Sequence, residues 1–302
     1  MPATSLKTRL KAWWEGYDLP ETGAARRSSG AADSARATRQ CRFSPEVEAM
    51  HLIFGQGRTL PLPLNPISDL PEPLDCPSGM AALFAGAETG GPAIELASCH
   101  DIQVTALEPD RGNVGVGEEL SRQAEFDGSF RIGPVDLVNV ELSQNRFHLL
   151  VCRLLLHTIP KRELLYRKFE RAMRPMGTQL LTQFTVAEDA DREKVAARMT
   201  SSVEPVPPLL MTAKEEKAVL VENGMRPQMV EDLTDRVRDD VVKIFGNWQQ
   251  MVEEIARFEA QPRMLQTLLA QVEHWQPRIT LMEQGDLKVT RFQSQKRRNE
   301  LL

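Results

Sequence analysis

Strand–turn–helix units repeated from residue 80 onward predict an α/β fold with a mostly parallel sheet covered by helices on both faces. Two observations carry this. Residues 80–85 and 147–154 are short apolar runs of strand length, whereas residues 160–173 space Leu164, Leu165, Phe169, Ala172 and Met173 along one face of a helix. Tight turns rich in glycine or proline separate them, above all Gly86-Ala-Glu-Thr-Gly-Gly91.

The elements follow in order. Residues 6–19 carry Leu6, Leu10, Trp13, Trp14 and Tyr17 as one stripe of a short amphipathic helix within residues 1–20. Residues 21–40 hold no Ile, Leu, Val, Met or aromatic side chain, so 21–42 is expected to be a flexible linker. A helix over 47–54 and a proline-rich passage over 61–77 lead into the first strand at 80–85. The turn 86–91, a helix over 92–99 with Pro92 just inside its start, and a strand over 102–107 complete the first unit.

A weak strand at 133–138, the apolar strand 147–154, the helix 160–173 and a strand at 179–186 continue the alternation, with 174–177 as a turn. Thr212-Ala-Lys-Glu215 is a capping box that opens a helix ending at Gly224, before a strand at 225–234. Apolar spacing predicts one long helix over 235–258 and a second over 264–275, which Pro277 should end or kink. A last strand at 286–293 and the basic Lys296-Arg297-Arg298 close the chain. The expected organisation is a core over 43–234, a helical insertion over 235–285, and a final strand and tail over 286–302.

Composition narrows the function. The chain has 302 residues, with 37 lysines and arginines against 42 acids and a formal charge of −5. That balance lacks the excess basic charge of a dedicated nucleic-acid binder. No apolar run approaches the length of a membrane span, and the first 20 residues do not form a secretory leader pattern, so a cytoplasmic location is expected. Cys41, Cys76, Cys99 and Cys152 are scattered and the histidines show no paired spacing, so no metal centre is expected.

Ligands of open α/β sheets bind beyond the carboxyl ends of the strands. The turn Gly86, Ala87, Glu88, Gly90, Gly91 lets backbone approach a ligand, and Glu108 follows the second strand, placed to accept ribose hydroxyls. A nicotinamide-dependent oxidoreductase shares this pair of features.

Further motifs favour another family. Asp136-Leu137, Asn145-Arg-Phe-His-Leu-Leu150, Leu156-His157-Thr-Ile-Pro160 and Arg171-Ala-Met-Arg-Pro-Met-Gly177 follow in order and spacing, and Ile53–Gly57 precedes them. Together with residues 86–91 and 104–108, they resemble class I S-adenosylmethionine-dependent methyltransferases, particularly the small-molecule branch, over about residues 47–292. The resemblance implies a Rossmann-like, doubly wound, seven-stranded sheet and S-adenosyl-L-methionine as cofactor. It places the cofactor on Gly86, Ala87, Glu88, Gly90 and Gly91, the ribose on Glu108 and the adenine near Asp136. His157 becomes the candidate base or substrate contact, and a small molecule the methyl acceptor. The N-terminal arm could serve a homodimer or a protein partner.

The first glycine motif is degenerate. Phe84, Glu88, His148 and Met176 stand where the family has Asp, Gly, Asp and Gly. A carboxylate at residue 88 is expected to oppose the carboxylate of a bound ligand, pair with its ammonium or point to solvent. These departures keep open a catalytically inactive pseudo-methyltransferase serving as a scaffold or ligand-sensing subunit.

Overall fold

The structure is a computed structural model and describes residues 39–72, 74–124 and 129–298. The expected N-terminal helix and residues 21–38 of the expected linker lie outside the described residues. Arg39 already pairs with Phe258, its amide donating to Arg257 O at 2.7 Å.

Eight strands form one sheet among the described residues: β1 (Ala81–Ala85), β2 (Gln103–Glu108), β3 (Phe130–Pro134), β4 (Phe147–Arg153), β5 (Met173–Val186), β6 (Met211–Thr212), β7 (Met225–Asp232) and β8 (Leu287–Lys296). Seven run in the order β3-β2-β1-β4-β5-β8-β7, and the two-residue β6 pairs with β5 off this line. Pairings from β3 to β5 are parallel, and β8 is antiparallel to both its neighbours. The order turns back on itself between β1 and β4, the switch point at which such sheets bind ligands.

Side-chain alternation explains the double cover. Ala82 and Phe84 join one core with Leu96 and Ala97, while Leu83 and Ala85 join the opposite core with Leu165 and Phe169. A strand buried on both faces is apolar at every position, which is why residues 81–85 show no polar alternation.

Among the described residues the helices are α1 (Pro45–Phe54), α2 (Gly91–His100), α3 (Arg111–Gln123), α4 (Arg162–Ala172), α5 (Arg192–Met199), α6 (Ala213–Glu222), α7 (Thr234–Gly246), α8 (Trp248–Ile255) and α9 (Gln261–Glu283), with a 3-10 turn at Leu156–Thr158. A third core joins α1 and α5 to α7, α8 and α9 through Phe54, Met199, Phe245, Ile255, Leu268 and Trp275. It also takes in Phe184 and Val186 from the end of β5.

Several expectations need correction. The helix expected over 235–258 is two, α7 and α8, parted at Asn247 next to Gly246. Pro277 does not end its helix: α9 runs on to Glu283. Trp275, Arg278, Ile279 and Leu281 are buried on both sides of the proline, and their packing offsets the lost backbone hydrogen bond. The turn expected at 174–177 is an irregularity inside β5, where the register with β4 shifts between Phe147 and Leu149. α3 escaped the sequence pattern because Gly112, Gly115 and Gly117 dilute its periodicity. Asp110 nonetheless caps it, Oδ1 accepting from the amides of Gly112 at 2.7 Å and Asn113 at 3.0 Å.

Candidate functional site

The turn after β1 is drawn against the end of β2. The amides of Gly86 and Ala87 both donate to Leu107 O, at 2.9 and 3.3 Å, and the amide of Glu88 donates to Glu108 Oε2 at 2.9 Å. Gly86, Glu88 and Gly90 all take positive φ, at 72°, 58° and 87°. Glu88 is the unusual member, because a side chain in this region is disfavoured and something must hold it there.

Its carboxylate supplies the hold. Glu88 is buried and forms an ion pair with Arg153 at the end of β4. Its Oε2 accepts from the amides of Thr59 at 2.6 Å and Leu60 at 3.1 Å. The expectation that this carboxylate opposes a bound ligand or points to solvent is corrected: it faces the strap of residues 55–63, with charge and hydrogen bonds matched. Arg153 also donates to Pro63 O at 2.5 Å and lies over the Phe84 ring, 5.8 Å from its centroid. Two departures from the family pattern, at residues 84 and 88, thus belong to one buried cluster.

The strap closes on the turn through glycine as well. Gly91 N donates to Gly57 O at 3.0 Å, and a Cβ built on Gly91 would stand 2.6 Å from that oxygen. No other residue fits at this approach. This helix-start amide is therefore committed to the protein rather than offered to a ligand. From α1, His51 Nε2 reaches Thr89 Oγ1 at 3.0 Å and fixes the turn from a further side.

Glu108 is the last residue of β2 and is buried. Burial, the dominant influence, pushes its carboxyl up to about 7, against the opposing pull of the Asp110 amide, the Asn113 side chain and the Glu88 amide. Its Oε1 accepts from Asp110 N at 3.1 Å, and Oε2 holds only the Glu88 amide, leaving lone pairs for further donors. Donors such as ribose hydroxyls favour the ionised form, so the residue fits a ribose.

Asp136 is exposed in the loop after β3 and is tied to the same corner, because Val135 N donates to Glu108 O at 3.1 Å. Its carboxylate accepts from Asn139 Nδ2 at 2.6 Å and Val138 N at 2.9 Å, which holds its carboxyl below the ordinary value. His157 lies in the 3-10 turn beyond β4, buried. The neighbouring Leu155 side chain lies against Gly86, 3.0 Å from a Cβ built there, so the turns beyond β1 and β4 adjoin.

Of the other two departures, one ties strands together and the other carries backbone strain. His148 Nδ1 accepts from Ala81 N at 3.1 Å and binds the start of β1 to β4. Met176 stands in the left-handed region at φ 65°. Sequence reading missed Arg153, Thr59, Leu60 and Glu204, the last facing His157. None belongs to a periodic pattern, and only folding brings them to the site. Among the described residues, no group of three or more His, Cys, Asp or Glu could hold a metal ion, and no helix is long and apolar enough to cross a membrane.

Sheet order and switch-point turn define a Rossmann-like fold, and comparison with known proteins agrees. Residues 83–181 match the methyltransferase domain family. Those residues carry a methyltransferase domain, about a third of the chain, and the sheet around them has the fold of solved class I S-adenosylmethionine-dependent methyltransferases.

Among curated relatives, it is similar to 27-O-demethylrifamycin SV methyltransferase of Amycolatopsis mediterranei (strain S699). The two are 24% identical over 193 residues, covering 60% of this chain and 69% of that protein. Among solved structures, phosphoethanolamine N-methyltransferase 2 of Haemonchus contortus aligns at 20% identity with a TM-score of 0.71. That alignment covers 85% of this chain and 59% of the other, so the chain spans less than two thirds of its length. The [4+2]-cyclase SpnF aligns at 17% identity and a TM-score of 0.56, over 74% of this chain and 77% of that one.

Proposed function

We propose that this protein transfers a methyl group from S-adenosyl-L-methionine to a small molecule. The bound cofactor supplies an electrophilic methyl group. In this reading Gly86, Ala87, Gly90, Gly91 and the backbone of Glu88 lie along the cofactor, Glu108 accepts its ribose hydroxyls, and Asp136 stands near its adenine. His157 faces the methyl acceptor. The helices α7 to α9 shape the acceptor side, and the likeness to enzymes named for rifamycin and phosphoethanolamine supports a small acceptor. A cytoplasmic location suits its four free cysteines.

One observation carries the reading: the Glu88 amide hydrogen-bonded to the Glu108 carboxylate at 2.9 Å, which joins the glycine turn to the acid at the switch point. Calorimetric titration with S-adenosylhomocysteine tests it. Micromolar binding is expected, weakened tenfold or more by Glu108→Ala, about 1.4 kcal/mol or greater. Binding no tighter than millimolar to the unaltered chain refutes it.

A second reading keeps the fold without methyl transfer, as a scaffold or ligand-sensing subunit. The replacement of two motif residues by the Phe84–Arg153–Glu88 cluster favours it, and the fold is shared with a protein named as a [4+2]-cyclase. Absent binding of S-adenosylhomocysteine by a folded chain selects this reading.

A further inference from the structure

A buried polar cluster lies against His157, assembled from segments far apart in sequence. Glu204, in the loop between α5 and β6, places Oε1 3.5 Å from His157 Nε2, and its Oε2 accepts from Arg278 Nη2 at 2.5 Å. Arg278, on α9, has a wholly buried side chain, and its Nη1 donates to His274 O at 2.6 Å. Ser201 Oγ and His274 Nδ1 stand 2.9 Å apart and close the group. Phe184, at the end of β5, walls it: its ring centroid lies 5.1 Å from that of His157 and 5.8 Å from the Arg278 guanidinium carbon.

The side chain of His157 is only 2% exposed, yet neither ring nitrogen has a hydrogen-bond partner, and Arg278 Nε has none either. Buried polar atoms are nearly always paired, so a cluster with three unpaired atoms calls for a partner group. The contact with Glu204 is longer than a hydrogen bond, as contacts of acid–base groups often are before a substrate is in place. The loop carrying Glu204 also presents Val203, Val206 and Leu209, each at least 41% exposed, an apolar rim suited to the body of an organic acceptor.

We propose that Glu204, clamped by Arg278, is the positioning residue for His157 and that the methyl acceptor is a hydroxyl. Glu204 draws the Nε2–H of the neutral imidazole toward itself, which leaves Nδ1 bare as the proton acceptor. The hydroxyl oxygen bonds to the methyl carbon as the carbon–sulfur bond breaks and its electron pair stays on sulfur. The hydroxyl proton passes to Nδ1 of His157 and then to water. A hydroxyl needs such a base, whereas a neutral amine attacks with its own lone pair. The proposal rests on the methyltransferase reading and specifies its acceptor.

Nitrogen-15 spectra of the full chain labelled at histidine test it, with His157 identified by the signals lost in His157→Gln. The wild type is expected to show Nε2 protonated and Nδ1 bare, Glu204→Asp to retain this, and Glu204→Gln to lose it to a mixture of tautomers. A wild-type imidazole protonated on Nδ1, or tautomer signals unchanged in Glu204→Gln, overturns the positioning role. The wild-type spectrum alone keeps that role refutable if Glu204→Gln does not fold. With S-adenosylhomocysteine present, phenol as the hydroxyl probe is expected to shift the Nδ1 signal and aniline to leave it in place. No shift with phenol, or equal shifts with both, overturns the hydroxyl assignment. Failure of S-adenosylhomocysteine to bind removes the methyltransferase reading whatever the tautomer, whereas a wrong tautomer removes only the positioning role.

Discussion

Glu88 and Arg153 form an ion pair with side chains only 4% and 3% exposed, joining the turn after β1 to the end of β4. The same carboxylate accepts from the amides of Thr59 and Leu60. The charge that departs from the family pattern is thus paired inside a buried network that holds the 55–63 strap.

Removing one partner of a buried pair leaves the other uncompensated, at a cost of about 3–5 kcal/mol. Glu88→Ala is expected to lose that much stability in urea unfolding. Glu88→Gly, although it restores the family residue, is expected to lose as much and to leave affinity for S-adenosylhomocysteine no better. Combining Glu88→Ala with Arg153→Met should cost less than the sum of the two single changes, because the orphaned charge is gone. A Glu88→Ala protein within about 1 kcal/mol of the parent contradicts the network.

Glu108 gives a pH dependence with a definite sign. Burial raises its carboxyl from 4.5 to about 7 in the folded chain, so between those values the folded state holds more protons than the unfolded one. Stability therefore falls as pH rises through that window. Hydroxyl donors favour the ionised form, so binding of S-adenosylhomocysteine should release a proton and tighten about tenfold from pH 6 to pH 8. Calorimetry in buffers of different ionisation enthalpy reads both effects. In Glu108→Gln the pH dependence should vanish.

The close approach of Gly57 and Gly91 gives a steric test. In Gly91→Ala the added methyl meets Gly57 O at 2.6 Å and must push the strap away. A loss of about 1–3 kcal/mol is expected from such overpacking. Limited trypsin digestion should then cut faster at Arg58, inside the displaced strap. Unchanged digestion shows that the strap does not depend on this contact.

Met176 offers a gain. It holds φ 65° in a residue that is 41% exposed, so little packing offsets the strain. Met176→Gly should stabilise the chain by about 1 kcal/mol, seen as a higher midpoint in thermal unfolding. No gain, or a loss, means that the methionine side chain contributes contacts that outweigh its backbone strain.

The β1–turn–α2–β2 unit was legible because its information is local. Its strands are continuous apolar runs, its turn needs glycine, and its acid sits a fixed distance along the chain. The ends of α7 to α9 were not, because Asn247 and Pro277 act through what surrounds them. A proline with buried Trp275 before it and buried Arg278, Ile279 and Leu281 after it stays within a helix that packing holds together.

By itself the sequence determined the alternation of strands and helices, the switch-point turn and the acid beyond it, since each depends on neighbours a few residues away. Only the tertiary structure decided that Glu88 turns to Arg153, 65 residues on, and that Glu204 meets both His157 and Arg278. Whether a buried charge is a defect or a fastening depends on the groups that surround it in space, and linear spacing does not encode those.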